Sequence, residues 1–105
     1  MNALRRYEIL LPLRFNDGQA VPESFLADAM LELRQEFGAV SSETQIIQGH
    51  WESEGIIFRD QLVRLFVDVP DTPENRQFFV QFKARLRTRF QQMDLWITTY
   101  PIEVI

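Results

Sequence analysis

Residues 62–69 read Leu-Val-Arg-Leu-Phe-Val-Asp-Val, which is the clearest strand pattern in the chain. Every odd position is apolar, whereas Arg64 and Asp68 occupy even positions. A period of two is typical of a strand that buries one side against a core. The pattern therefore predicts a strand whose odd-numbered side chains point inward. The predicted strand begins at residue 56, and residues 59–61 are the candidate position for a break in it.

The segments on either side of this stretch predict a hairpin before it and a helix after it. Residues 44–51 predict the preceding strand, and residues 52–55 predict the loop that joins the two strands. Downstream, Thr72 is placed to cap a helix, Pro73 fits its first turn, and Glu74 lies at the positive end of its dipole. The buried stripe of this helix is predicted to be Phe79, Phe82, Leu86 and Phe90, with Phe78 beside it.

Three further elements complete the chain. Residues 6–13 predict the first strand. Residues 22–37 predict the first helix, which Gly38 is placed to end in a left-handed conformation. Residues 95–105 predict the last strand. Pro101 indicates that this strand lies at an edge of the sheet, because proline has no backbone N–H to donate to a neighbouring strand.

This order of elements predicts the fold class. Strand, helix, strand, strand, helix, strand is the split βαβ pattern. Right-handed crossovers then place the strands in the spatial order 4-1-3-2, with both helices on one face of the sheet. We therefore predict an α+β fold, a ferredoxin-like βαββαβ sandwich with a four-stranded antiparallel sheet, which takes in residues 1–105 as a single domain.

The face of the sheet that the helices leave open carries the even-numbered side chains of the two central strands. Leu10, Leu62 and Phe66 are large apolar residues on that face, and Arg64 is one of the charged residues among them. Such a surface is typical of a contact with a partner. We take Leu10, Leu62, Arg64 and Phe66 as interface candidates. We expect a homodimer through the open sheet face, in which Arg64 meets an acid of the second copy. Further candidates for the open face are Ile46, His50, Trp96, Tyr100 and Ile102.

A second candidate site lies at the predicted hairpin. His50 and Trp51 end one strand, and Arg59 and Asp60 begin the next, so these four are the best candidates for a polar pocket. A hydrogen-bonded bulge or a surface ion pair is the more frequent role of such residues. We therefore name His50, Trp51, Arg59 and Asp60 as ligand-binding candidates and assign no catalytic residue.

The sequence contains no pattern for a metal or a cofactor. His50 is the only histidine and there is no cysteine, whereas zinc sites need several such ligands. Asn16-Asp17-Gly18 is a turn signal, and none of the four glycines has the spacing of a phosphate-binding loop. We expect neither a metal nor a cofactor.

Composition narrows the partners and the location. The net charge of −4 disfavours a nucleic-acid partner, although residues 76–89 contain five basic residues and no acidic one. No apolar stretch is long enough to span a bilayer, and the first seven residues do not read as a signal peptide. Together with the lack of cysteine, these features lead us to expect a cytoplasmic protein without a membrane partner.

Three stretches carry a family resemblance: residues 6–13, the segment Ile47-Gln48-Gly49-His50-Trp51, and residues 83–92. They resemble a family of small uncharacterised bacterial ferredoxin-like domains, which have a Gly-Gln-Trp-like strand and an aromatic helix ending in Phe-x-Gln. Here Gly49-His50-Trp51 departs from that pattern by its central histidine. The resemblance covers most of the chain. It implies a ferredoxin-like fold with no known activity, so it supplies no catalytic residue.

These observations favour a non-catalytic binding or interaction module that acts as a homodimer, with a small molecule as a further candidate ligand. The alternative is a small-molecule enzyme of the dimeric α+β-barrel type, with its pocket near His50, Trp51 and Arg59. Only the fold suggests that alternative. A deep pocket at these three residues would favour the enzyme, and a flat apolar face would favour the binding module.

Overall fold

The computed structural model describes residues 3–105, apart from the side chain of Thr44. Its elements are β1 (Leu4–Pro12), α1 (Glu23–Phe37), β2 (Ser41–Ser53), β3 (Ile56–Pro70), α2 (Pro73–Arg89) and β4 (Ile97–Ile102). The strands form one four-stranded sheet in the order β2-β3-β1-β4, and each neighbouring pair is antiparallel. The predicted ferredoxin-like fold and its strand order are therefore confirmed. Met1 and Asn2, which belong to the segment expected not to be a signal peptide, lie outside the described residues.

A single core fills the space between the helices and the sheet. Odd-numbered side chains of β1 and β3 point into it, among them Ile9, Leu65 and Val69, all almost completely buried. From α2, Phe82 and Leu86 are fully buried against them. Burying a side chain of this size stabilises the fold by roughly 1.5–3 kcal/mol. The predicted inward side of both central strands is therefore confirmed.

The ends of the helices follow from their residue types. Pro22 is extended (ψ 139°), so α1 begins at Glu23, one residue later than predicted. Gly38 ends α1 with φ of 83°, and its N–H donates to the Arg34 carbonyl. The Thr72 hydroxyl accepts a hydrogen bond from a backbone N–H in the first turn of α2, at 3.1 Å. Within residues 3–105, neither helix has the length and apolar character needed to cross a membrane.

The strands differ from the prediction mainly at their ends. β2 covers Ser41–Ser53 rather than residues 44–51, and its register with β3 shifts between Glu43 and Ile47. β3 is unbroken near residues 59–61, because β2 pairs with it there throughout. β1 runs from Leu4 to Pro12 instead of residues 6–13, and β4 stops at Ile102, short of the predicted end.

The outer part of the β2–β3 hairpin, residues 47–61, projects beyond the rest of the sheet, and we call it the distal hairpin. β1 ends at Pro12, opposite Leu62, and among residues 3–105 a single backbone hydrogen bond joins the segment after β1 to the hairpin, from Leu13 N to Gln61 O. The predicted four-residue loop is a two-residue turn, Glu54–Gly55, with φ of 52° and 78°. Positive φ at both positions is the mark of the type I′ turn that suits a twisted hairpin. The projection contributes to an elongated molecule of 47 × 28 × 25 Å.

Candidate functional site

One half of the open face carries charged side chains that form ion pairs with one another. Arg6 donates two hydrogen bonds to Asp68, at 2.7 and 3.0 Å, and its guanidinium lies 4.6 Å from the centre of the Phe66 ring. Arg64 donates to Glu43 at 2.9 Å. The hydrogen bond to Asp68 raises the pKa of Arg6, and that to Glu43 raises the pKa of Arg64. We call this part of the open face the charged half. It consists of Arg6, Glu8, Glu43, Arg64, Phe66, Asp68 and Tyr100.

The fourth strand extends the charged half and settles which of its side chains face outward. Tyr100 lies opposite Arg6 in the ladder, and its hydroxyl donates to Glu8 at 3.0 Å. Because side chains alternate along a strand, Ile102 lies on the same face as Tyr100. Both residues are therefore on the open face, as the sequence suggested.

The other half of the open face is an apolar groove of about 530 Å³. Leu10 and Leu62 form its floor, and Trp51 reaches it from the distal hairpin. Met93 and Trp96, in the connection between α2 and β4, line it as well and are 53% and 62% exposed. We call the site formed by these five residues the open-face groove. Its size lies within the range of roughly 300–1,000 Å³ found for small-molecule sites.

Trp51 is held in place by its neighbours. Its indole N–H donates to Asp60 Oδ2 at 2.7 Å, and its ring stacks on Phe58 with the ring centres 4.3 Å apart. Gly49 lies two residues before it, on the same side of β2. A Cβ atom at Gly49 would come within 3.1 Å of Leu62 Cδ1, so the glycine leaves room for that leucine. One wall of the groove is therefore fixed within the chain.

The residues predicted to share a polar pocket lie on two sides of the distal hairpin. Trp51 and Asp60 are on the open face, joined by their hydrogen bond. His50 lies opposite Arg59 in the ladder, so both point to the helix side of the sheet. The expectation that His50 joins the open face is therefore wrong, because alternation along β2 sends it to the opposite side from Trp51.

His50 and Arg59 line a second concavity, which we call the helix-side cleft. Arg14, in the connection between β1 and α1, also lines it. The cleft has a volume of about 760 Å³. Arg14 is held near it by a hydrogen bond from Nη1 to the Gly18 carbonyl, at 3.0 Å. The cleft thus collects cationic and titratable side chains, in contrast to the apolar groove on the other face.

The structure separates the interface candidates into two pairs. Leu10 and Leu62 are half-buried and lie in the open-face groove. Arg64 and Phe66 lie in the charged half, and Arg64 already has partners in its own chain: Glu43, and Glu8 at 3.9 Å. The expected contact between Arg64 and an acid of a second copy therefore competes with internal pairs.

Within the part of the chain that the structure describes, no group of three or more His, Asp and Glu side chains lies close enough to hold a metal ion. Asp17 accepts a hydrogen bond from the Gln19 backbone N–H at 2.9 Å, which is the role expected of a turn residue. The expectation that the protein needs neither a metal nor a cofactor stays a prediction.

Met93 and Arg14 are among the residues that line these sites without having been predicted from the sequence. Met93 lies in an irregular connection, where no hydrophobic period exists to indicate that it faces the groove. Arg14 follows β1 in the connection to α1, and only the structure shows that the connection lies beside the distal hairpin. The one sequence feature that hints at an ordered connection around Met93 is the neighbouring Asp94, whose carboxylate can accept a backbone N–H. In the structure Asp94 Oδ1 accepts the Leu95 N–H at 2.8 Å.

A scan of family models and a search of curated proteins both found no match. Solved structures do match over nearly the whole chain. A phage SAM lyase in complex with S-methyl-5'-thioadenosine has 14% sequence identity and a TM-score of 0.70, with 99% of this chain and 92% of that chain covered. CutA from Synechococcus elongatus has 10% identity and a TM-score of 0.62, with 97% and 79% covered. The divalent cation tolerance protein Cut A1 from Thermus thermophilus has 16% identity and a TM-score of 0.64, with 96% and 85% covered.

The chain shares the fold of these proteins. At such identities the likeness establishes the fold alone. The likeness to these structures and the resemblance noted in the sequence agree on one point, namely that the chain is a small ferredoxin-like domain.

Proposed function

We propose that this chain is a non-catalytic binding module that works as a homodimer, with the open-face groove at the centre of the contact. The observation that carries this proposal is the division of the open face. The charged half has its ion pairs within the chain, whereas Met93 and Trp96 leave more than half of their surface exposed beside the groove. Covering apolar surface is favourable by roughly 25 cal/mol per Å², so the groove gains most from a partner.

The distal hairpin supports a second copy as that partner. A two-stranded hairpin that stands alone is marginally stable in water. Here its end also presents Ile56, which lies on the open face and is 59% exposed. A second copy across the groove would cover Trp51 and bring a further layer against the hairpin. In a two-fold dimer the same patch meets itself, which suits the apolar floor of Leu10 and Leu62, while Asp60 in the wall accepts the Trp51 indole N–H.

The test compares two exposed apolar residues on different sides of the molecule. Trp96→Glu places a charge in the groove, and Val80→Glu places the same charge on α2, where Val80 is 56% exposed. Tryptophans at the centre of interfaces often contribute about 2 kcal/mol or more, so we expect Trp96→Glu to weaken dimerisation roughly 30-fold or more. Val80→Glu should leave dimerisation unchanged. Light scattering over a concentration series measures this, and circular dichroism checks that both variants fold.

Two outcomes would contradict the homodimer. One is a wild-type chain that stays monomeric at high micromolar concentration. The other is equal weakening by Trp96→Glu and Val80→Glu, which would attribute the effect to net charge and move the contact away from the groove.

A small-molecule enzyme is the second candidate, and the size of the groove favours it. Trp51 is held by Asp60 on one wall, and a flat ring can stack on such an indole. The phage SAM lyase of the same fold was solved with S-methyl-5'-thioadenosine, a nucleoside. Arg59 does not line this version of the site, because its side chain lies on the helix side of the hairpin.

The enzyme candidate is tested directly with the neighbour's compounds. The chain is incubated with S-adenosylmethionine, and chromatography follows the formation of S-methyl-5'-thioadenosine; thermal shift measures binding of the latter. Turnover that falls in Asp60→Asn would support the enzyme. The absence of both turnover and binding at millimolar concentration would contradict this use of the groove.

A further inference from the structure

We propose that the helix-side cleft binds a phosphorylated small molecule, with Arg59 and Arg14 as the phosphate ligands and His50 beside them. The cleft lies on the opposite face of the distal hairpin from the open-face groove. The inference therefore does not rest on the homodimer, and contact through the open face would leave the cleft accessible.

The first argument is the position of Arg59 and His50. They are directly opposite each other in the β2–β3 ladder, so their Cβ atoms are roughly 4.5–5.5 Å apart on one side of the hairpin. Both side chains are exposed, and among residues 3–105, with the Thr44 side chain left aside, neither forms an ion pair. Arginine presents several N–H donors in a planar fork that matches a phosphate group.

The second argument is that Arg14 comes from an ordered connection. Phe15 N donates to Gln19 O at 2.8 Å, and Gly18 N donates to Phe15 O at 2.9 Å. The bond from Arg14 Nη1 to the Gly18 carbonyl uses one of its N–H donors and leaves the others available. A second cation is thus held beside the cleft before any ligand arrives, which lowers the entropic cost of binding.

The third argument is the local charge. The chain as a whole has a net charge of −4, yet the cleft brings Arg14 and Arg59 together. Asp60 is the acid in its lining, and its carboxylate is turned to the Trp51 indole on the other face. Glu52 lies on the same side of the hairpin as Arg59, two ladder pairs further out, and the two form no ion pair. The lining is therefore cationic where a phosphate would enter.

The lining also indicates what the phosphate is attached to. Phe15 and Ile57 add apolar surface to the cleft, and a volume of about 760 Å³ is far larger than a phosphate group needs. A ligand with an aromatic or aliphatic body and one phosphate monoester group fits both features. Phenyl phosphate is the simplest probe with that chemistry.

Isothermal titration calorimetry tests the proposal with phenyl phosphate, inorganic phosphate and phenol. We expect one phenyl phosphate per chain, bound more tightly than inorganic phosphate, and no measurable binding of phenol. Arg59→Gln and Arg14→Gln should each weaken phenyl phosphate binding about tenfold or more, since a hydrogen bond to a charged group is lost. Arg76→Gln is the matched control: it removes one exposed positive charge on α2, outside the cleft, and should change nothing.

Three results would overturn the proposal: no binding of phenyl phosphate at millimolar concentration, binding of phenol with similar affinity, or equal weakening by Arg76→Gln. Circular dichroism confirms the fold of each variant, and Arg59→Gln decides the question alone if Arg14→Gln disturbs its connection. Light scattering on Arg59→Gln should give the wild-type mass, which keeps this test separate from that of the homodimer.

Discussion

Phe82 is the single residue on which the core depends most clearly. It is fully buried between α2 and the sheet, whereas Val80, two positions earlier, is exposed. Replacing Phe82 by Ala leaves a cavity and should lower the free energy of unfolding by about 3–5 kcal/mol, a large share of a small domain's stability. Val80→Ala should change it by less than about 0.5 kcal/mol. Urea unfolding measures both, and similar midpoints for the two variants would mean that the buried side of α2 is misassigned.

Asp94 gives a prediction about pH at the same scale. Its carboxylate accepts a hydrogen bond from the Leu95 N–H and pairs with Lys83 at 3.2 Å, and these contacts lower the pKa of Asp94. A lowered pKa in the folded state means that the stabilisation is present above the unfolded value, near 3.8, and is lost as the pH falls through the folded value. Asp94→Asn should therefore be less stable than wild type at neutral pH, and the difference should be smaller at about pH 3, below the unfolded value. Urea unfolding at the two pH values checks this, and an equal difference at both would show that ionisation of Asp94 plays no part.

Individual residues also show how far the sequence could predict the sites. Leu10 and Leu62 were placed on the open face because a period of two assigns every side chain of a regular strand. An even number of residues in the hairpin loop pairs even positions of β2 with odd positions of β3, so the same alternation places His50 on the helix side, and this placement was within reach of the sequence. Trp96 is a further candidate for the open face, and a 3.0 Å bond from Leu10 N to Trp96 O places it beside β1; the approach of Met93 to the groove was not within reach of the sequence. That contact depends on how an irregular connection packs, which no local pattern records.

Among the elements, the distal hairpin depends on its turn. Glu54 and Gly55 both have positive φ, which costs glutamate energy and costs glycine little. Glu54→Asn should stabilise the hairpin, and Gly55→Ala should destabilise it by about 1 kcal/mol, which is about fivefold in local opening. Hydrogen exchange of peptides from residues 47–61 measures this, with peptides from residues 79–90 as the internal reference. If Gly55→Ala accelerates exchange equally in both regions, the hairpin does not open separately from the core.

The whole molecule combines a conventional two-layer core with a hairpin whose sides differ in chemistry. On the open face the hairpin contributes Trp51 to an apolar groove, and on the helix side it contributes His50 and Arg59 to a cationic cleft. The division follows from alternation along two long strands, so one element serves two sites without a further domain. A homodimer through the groove and a ligand in the cleft are therefore compatible in one molecule.

Both tryptophans of the chain, Trp51 and Trp96, line the open-face groove, so intrinsic fluorescence reports on whether the groove is covered. We expect the emission to shift to shorter wavelength, and acrylamide quenching to weaken, as the wild-type concentration rises and a second copy excludes water. Leu62→Glu alters the floor of the groove and keeps both tryptophans, so it should give the emission of the monomer at every concentration. Val80→Glu should follow the wild type. By mass action, the midpoint of the spectral change must coincide with the midpoint of the mass change from light scattering. A mass that doubles while the emission and quenching stay constant would place the contact outside the groove.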